Sequence, residues 1–371
     1  MSTVRRRFAV LLVALLGTGG AVGAAGPAVA APAPGTVLAA TSVALPAPLN
    51  QIATGKRISY ASTNVNGGAI TVTGLVITPT RGKTDKIVAW AHGSTGLADI
   101  CAPSKHYDVF WPEARVAVAG LLSHGWTVAA TDYAGLGTPE PHPYFIGSSE
   151  ARAIIDSVKA ARNLDHSLST QYVVEGHSQG GQGALFVDER APGYDGALVL
   201  RGVVAIAPVS NVDLFAPFIP GTPGQGYLVM ALAGLATVEP EPSRNPLSVL
   251  AQPARDRLPV LRTGCLNEIL AAYAGLTAGQ LLTGGALPQW VVDELVRWDN
   301  PAQVPPTAPI LVVQGTADEA VPVGITDALV CELRYYQTVP VRYLKIEGAD
   351  HEGAVTQSVP QVTTWIAAHF S

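Results

Sequence analysis

Apolar and polar positions divide the chain into short strands and helices. ITVTGLVITP (70–79) alternates with a period of two, as a half-buried strand does. Six further segments are short apolar runs ending in polar or glycine residues: KIVAWAHG (86–93), WTVAATDYAG (126–135), QYVVEGHS (171–178), RGVVAIAPVS (201–210), APILVVQGTAD (308–318) and VRYLKIEGADH (341–351). Runs of this kind belong to parallel strands buried on both faces. Helical patterns lie between them at 112–125, 149–164, 323–337 and 362–370. Strands alternating with helices predict an α/β protein with a doubly wound, mostly parallel sheet.

One connection breaks the rhythm. Between the strand ending near Val209 and the one starting near Pro309 lie roughly one hundred residues, too many for an ordinary loop. They are expected to form a helical cap insertion, about 210–308, built from GYLVMALAGLA (226–236), CLNEILAAYAGLTAGQLL (265–282) and PQWVVDELVRW (288–298). The first of these is apolar all round, which fits either a buried cap helix or a wall that accepts an acyl chain.

The two ends of the chain differ in character. Arg5, Arg6 and Arg7 precede the apolar run FAVLLVALLG, and AVA at 28–30 supplies small residues for cleavage, so 1–30 reads as a secretory signal peptide cut near Ala30. The paired arginines leave Sec and Tat export both open. Residues 31–47 carry no charge and little periodicity, and read as a Pro/Ala leader ahead of a domain at 48–371.

Composition bounds the function. A content of 48% hydrophobic residues in 371 supports a large core. Without the three leading arginines, 20 basic residues face 28 acidic ones, a formal charge of −8 that disfavours nucleic acid and anionic membranes and favours a neutral substrate. The three cysteines, Cys101, Cys265 and Cys331, allow three pairings in an exported protein. None matches a metal-site spacing, and no metal or other cofactor is expected.

Candidate chemistry lies at the carboxyl ends of the strands, where ligands bind in such sheets. The segment GHSQGGQG places Ser178 directly after an apolar strand and before a helical pattern. With 38 glycines in the chain, Gly-x-Ser-x-Gly alone is a weak signal; its strand-to-helix context gives it weight. Gly176 and Gly180 would permit the tight turn that lifts the hydroxyl above the sheet. A serine hydroxyl needs a base, and the base needs an orienting acid. Asp318 in GTADEAVP and His351 in GADHEG follow at the last two strand ends, giving the order Ser, Asp, His found in α/β-hydrolases. Glu319 and Asp350 are the competing acids. Asp318 is preferred because it sits nearer its strand end.

An oxyanion hole is expected from two backbone N–H groups, those of Gln179 after the nucleophile and of Ser94 in the loop AHGSTG. His92 reads as a hydrogen-bonded structural side chain. His177, before the nucleophile, is assigned no chemistry.

Together AHGSTG…CAPS, TDYAGLG, GHSQGGQGA, GTADEAVP and GADHEG resemble the secretory lipase family of the α/β-hydrolase fold, from about residue 50 to the C-terminus. The resemblance implies a secreted, cofactor-free carboxylic ester hydrolase acting on triacylglycerols, with Ser178, Asp318 and His351 as its triad. It also implies a Cys101–Cys265 disulfide. Cys331 has no implied partner. The expected partners are a neutral ester or lipid and, transiently, a lipid–water interface, with the chain a monomer. The same triad would serve a short-chain or aryl esterase, an acyltransferase or a serine peptidase, and a non-catalytic binding protein on this fold is a further class.

Overall fold

The computed structural model describes residues 31–239 and 241–370. The segment read as a signal peptide, 1–30, lies outside the described residues. Nine strands form one sheet: β1 (Val37–Val43), β2 (Ala53–Thr63), β3 (Ala69–Pro79), β4 (Ile87–Ala91), β5 (Thr127–Thr131), β6 (Gln171–His177), β7 (Val199–Ile206), β8 (Ile310–Gly315) and β9 (Val341–Ile346). Their spatial order is β1-β2-β3-β5-β4-β6-β7-β8-β9. The pairs β1/β2, β2/β3 and β3/β5 are antiparallel, and every pairing from β5 onward is parallel. This is the α/β-hydrolase fold expected from the sequence.

β4, in the middle of the sheet, is apolar and buried throughout because both its faces are covered. In β4, Ile87, Ala89 and Ala91 face one core cluster while Val88 and Trp90 face the other, the two-residue period of a strand. The first cluster packs under α2 (Gly147–Leu164) and α3 (Gln179–Tyr194), through Ile154, Val158 and Val187 among others. The second packs under α1 (Pro112–Ser123) and the helix Val359–His369, through Val118, Leu121 and Ile366. Pro112 opens α1 at a position where its missing N–H costs nothing.

Two strands escaped the sequence pattern. Residues 37–43, read as part of an unstructured leader, form the edge strand β1, pairing Ala39 with Ser59 and Val43 with Gly55. Five of the seven β1 residues are exposed, so backbone pairing alone specifies the strand and no apolar stripe marks it. β2 likewise carries Lys56, Arg57 and four hydroxyl residues, Thr54, Ser59, Ser62 and Thr63, among its apolar positions.

Between β7 and β8 the chain forms helices at Val212–Phe215, Gln225–Leu235, Gln252–Arg255, Val260–Thr263, Leu266–Tyr273, Ala278–Leu281 and Gln289–Asp299. They enclose a third apolar cluster that includes Val229, Met230, Leu232, Ile269 and Leu295. The stretch 265–282 is two helices rather than one, because Gly275 takes a left-handed φ of 75° just after Tyr273. The disulfide Cys101–Cys265 joins this region to the segment after β4 and spans 164 residues of sequence. Cys331 is a free, exposed thiol.

Candidate active site

β6 ends at His177 and α3 begins at Gln179, so the whole reversal falls on Ser178. Its φ is +57° and its ψ −116°, a conformation that costs a residue with a side chain about 1–3 kcal/mol. The flanking glycines make that turn sterically possible. A Cβ on Gly176 would lie 2.0 Å from the Gly180 carbonyl oxygen, and one on Gly180 would lie 2.0 Å from that of Ala91 at the end of β4. The turn is closed by the Ser178 N–H, which donates to Ile206 O at 2.9 Å, and by Gln182 N–H to Ser178 O at 3.1 Å. The hydroxyl thus stands at the N-terminus of α3, beside N–H groups that have no acceptor within the helix.

His351 is the first residue of the helix His351–Thr356, which follows β9. Its Nδ1 lies 2.7 Å from Asp318 Oδ2, in the loop after β8. Every other neighbour of the Asp318 carboxylate is also a donor: Gln314 Nε2 to Oδ2 at 3.0 Å, and the N–H groups of Ala320 and Val321 to Oδ1 at 2.9 and 2.8 Å. The two rival acids are engaged otherwise. Asp350 caps the helix that begins at His351, accepting from Gly353 N–H at 2.7 Å, and Glu319 is exposed at the cavity wall.

His177 has a part that the sequence did not suggest. Its Nε2 donates to the main-chain oxygen of His351 at 3.1 Å, and the two rings lie 4.5 Å apart. Burial, followed by the adjacent His351 ring, pushes its pKa well below the usual imidazole range. A neutral ring that donates from Nε2 has its tautomer fixed, and it anchors the backbone that carries His351.

The loop after β4 closes the site from the other side. A Cβ on Gly93 would lie 3.5 Å from that of Ser178. The Ser94 hydroxyl meets the Tyr144 hydroxyl at 2.5 Å, and Trp111 Nε1 donates to Ser94 O at 3.1 Å. Leu266 N–H donates to Thr95 O at 2.8 Å, so the loop is tied to the helical insertion by a hydrogen bond as well as by the disulfide. His92 stays behind this loop, with Nδ1 2.7 Å from Gly93 O and its pKa lowered by burial. At the start of α3 the Gln179 side chain turns inward and donates to Glu150 Oε1 at 2.8 Å. Burial pushes Glu150 up to about 8.

Ser94, Ser178 and His351 open into one cavity of about 510 Å³. Its wall is mostly apolar, with Phe145, Val209, Leu228, Ala231 and Leu295 among the lining residues. The helix Gln225–Leu235 therefore has both fates its sequence allowed. Leu228 and Ala231 face the cavity, while Val229, Met230 and Leu232 fill the cluster inside the insertion.

The sequence model of the secretory lipase family matches residues 112–371. The chain is 25% identical over 368 residues to the secreted triacylglycerol lipase LIP7 of Malassezia globosa, covering 91% of this chain and 76% of that protein. It is 23% identical over 356 residues to the probable inactive lipase MT1628 of Mycobacterium tuberculosis, covering 91% and 79%. Among solved structures, Candida antarctica lipase A in its closed state superposes with a TM-score of 0.76 at 20% identity, over 91% of this chain and 82% of that one. The rice cell wall degrading esterase LipA from Xanthomonas oryzae gives 0.71 at 19% identity, over 90% and 100%. Both structural likenesses speak to the fold.

Proposed function

Because the chain belongs to the secretory lipase family and is a carboxylic ester hydrolase, we propose that it is a secreted triacylglycerol lipase working through an acyl-enzyme on Ser178. Family membership alone does not carry this reading, since one relative is named a probable inactive lipase. What carries it is the convergence of the strained Ser178 and the His351–Asp318 hydrogen bond at one mostly apolar cavity.

In this reading Ser178 Oγ attacks the ester carbonyl as His351 Nε2 takes its proton, while Asp318 holds the Nδ1–H and stabilises the imidazolium. The carbonyl oxygen becomes an oxyanion, received by the Gln179 N–H at the positive end of α3 and by Ser94. His351 then returns the proton to the departing alcohol. A water molecule, activated by the same histidine, releases the carboxylic acid and restores Ser178. The apolar wall holds the acyl chain, each buried methylene contributing up to about 0.8 kcal/mol.

The substrate is a neutral ester, in keeping with the acidic chain. Contact with a lipid–water interface is supported by Phe218, which lines the cavity yet is 76% exposed, and by Leu214 nearby at 50%. The chain acts as a monomer, since one chain supplies every group named above. It is exported by residues 1–30 with cleavage near Ala30.

The test combines a ladder of p-nitrophenyl esters from acetate to palmitate, a triglyceride emulsion and fluorophosphonate labelling. Ser178→Ala should lower hydrolysis by several orders of magnitude and abolish labelling while the protein stays folded. Retention of a tenth of the activity would refute the assignment. A monotonic fall in kcat/KM from acetate upward would make the protein a short-chain esterase instead.

A further inference from the structure

The cavity wall has one deeply buried acid. Asp299 closes the helix Gln289–Asp299, lines the cavity, and is only 1% exposed. Its Oδ1 has no hydrogen-bond partner. The backbone around it is fixed, since Asp299 O accepts from Gln182 Nε2 at 2.6 Å. Burial first, and then the buried Glu150, push the carboxyl well above the usual carboxylate range. Burial thus favours the protonated carboxyl, which can both donate and accept a hydrogen bond.

A buried polar atom without a partner is unfavourable, and a plain alkanoyl chain offers it none. An acyl group bearing oxygen would. Ser178 and Asp299 line the same cavity, and Gln182, whose side chain holds the Asp299 carbonyl, lies four residues beyond Ser178 on α3, an axial rise of about 6 Å. The matching oxygen is therefore sought along the acyl chain rather than beside the ester.

We propose that Asp299 forms a polar subsite inside the acyl cavity and selects esters whose acyl group carries a hydroxyl or oxo oxygen on about its fifth or sixth carbon, the ester carbonyl counted as the first. This rests on the reading of Ser178 as the nucleophile and deepens it by naming the acyl class. A site with an unpaired hydrogen-bonding group discriminates against the analogue that lacks the matching oxygen far more strongly than an apolar pocket discriminates by size.

The test is the ratio of kcat/KM for p-nitrophenyl 6-hydroxyhexanoate, and separately 5-oxohexanoate, to that for p-nitrophenyl hexanoate. In the wild type at least one ratio should be about tenfold or more. Asp299→Leu should lower that ratio at least tenfold, and Asp299→Ala should do the same if the leucine variant does not fold. Wild-type ratios at or below one overturn the subsite without any variant, as does a high ratio unmoved in a folded variant. Ser178→Ala, run alongside, separates the two readings. If the wild type cleaves hexanoate and Ser178→Ala does not, ratios near one remove only the subsite. Failure of the wild type to cleave any of the esters removes both.

Discussion

Asp318→Asn is the most informative single substitution, because the hydrogen bonds around Asp318 leave an amide nowhere to turn. The carboxylate accepts from four N–H groups: Ala320 and Val321 on Oδ1, Gln314 Nε2 and His351 Nδ1 on Oδ2. Asparagine keeps one acceptor oxygen, which satisfies the two backbone N–H groups and turns its NH₂ toward Gln314 and His351. Gln314 cannot rotate to meet it. Its Oε1 accepts from Thr326 Oγ1 at 2.7 Å, and its Nε2 also donates to Val321 O at 3.0 Å. His351 must then present a bare Nδ1 and carry its proton on Nε2, the tautomer that cannot take a proton from Ser178. A loss of about 10⁴-fold in kcat is expected, or about 5.5 kcal/mol in the barrier. The measurement is kcat on p-nitrophenyl butyrate, with circular dichroism and a thermal melt to establish folding. Asp350→Asn is the matched control: its carboxylate caps a helix, a task asparagine performs as well, so kcat should stay within about twofold. A folded Asp318→Asn enzyme within tenfold of the wild type, or an Asp350→Asn enzyme that loses activity in its place, would refute the assignment of the acid.

Three further outcomes are expected. Replacing Cys101 and Cys265 together with serine should destabilise the protein by up to about 5 kcal/mol on the chain-entropy account of a 164-residue separation, and a change below about 1 kcal/mol in chemical denaturation would show that the tie contributes little. Leu228→Asp puts a charge on the cavity wall and should remove the gain of up to about fourfold in kcat/KM per methylene between butyrate and octanoate; an unchanged slope in a folded variant would mean that acyl chains bind elsewhere. Glu175 is fully buried, its Oε2 has no partner, and burial raises its pKa to about 8. A folded-state pKa above the unfolded value gives stability that is present below the unfolded pKa, near 4.5, and lost as pH rises toward 8. Glu175→Gln should therefore flatten the fall in Tm between pH 5 and pH 8, and parallel Tm profiles would contradict the burial argument.

The legible parts of the sequence were those where burial imposes a pattern. β3 to β8 each carry a run or alternation of apolar residues because the sheet is covered on both faces, the edge strand β9 keeps partly buried ones, and the residues at their carboxyl ends could be placed at once. β1 and β2 lie toward the open edge, where backbone pairing suffices and side chains are free to be polar. The helix His351–Thr356 is only six residues long and begins at the histidine of ADH, too short for periodicity to show. At the candidate site, Ser178, Asp318 and His351 stood out by motif and order, whereas the residues that contact Ser94, Asp318 and His351 did not. His177, Gln314 and Tyr144 act through contacts 174, 4 and 50 residues away in sequence, and nothing in their local surroundings distinguishes them from ordinary core polar groups.

The same physics explains why the substrate is harder to read than the reaction. The proposed reacting groups stand at strand ends, whose positions follow from a sheet that many sequences can build, so chain order and a few glycines point to them. The cavity is walled by helices that must be apolar both toward it and toward their own core. In Gln225–Leu235 this leaves no polar stripe to separate Leu228, on the wall, from Leu232, in the interior. Hydrophobicity there reports burial and is silent about what is buried against what. A polar residue breaks that silence. Asp299 stands in an apolar wall, and only the folded chain shows that Gln182 holds its carbonyl while its carboxyl Oδ1 goes unpaired. The specificity of such an enzyme is thus best sought where the lining departs from the hydrophobic rule, because at those positions burial alone does not account for the residue.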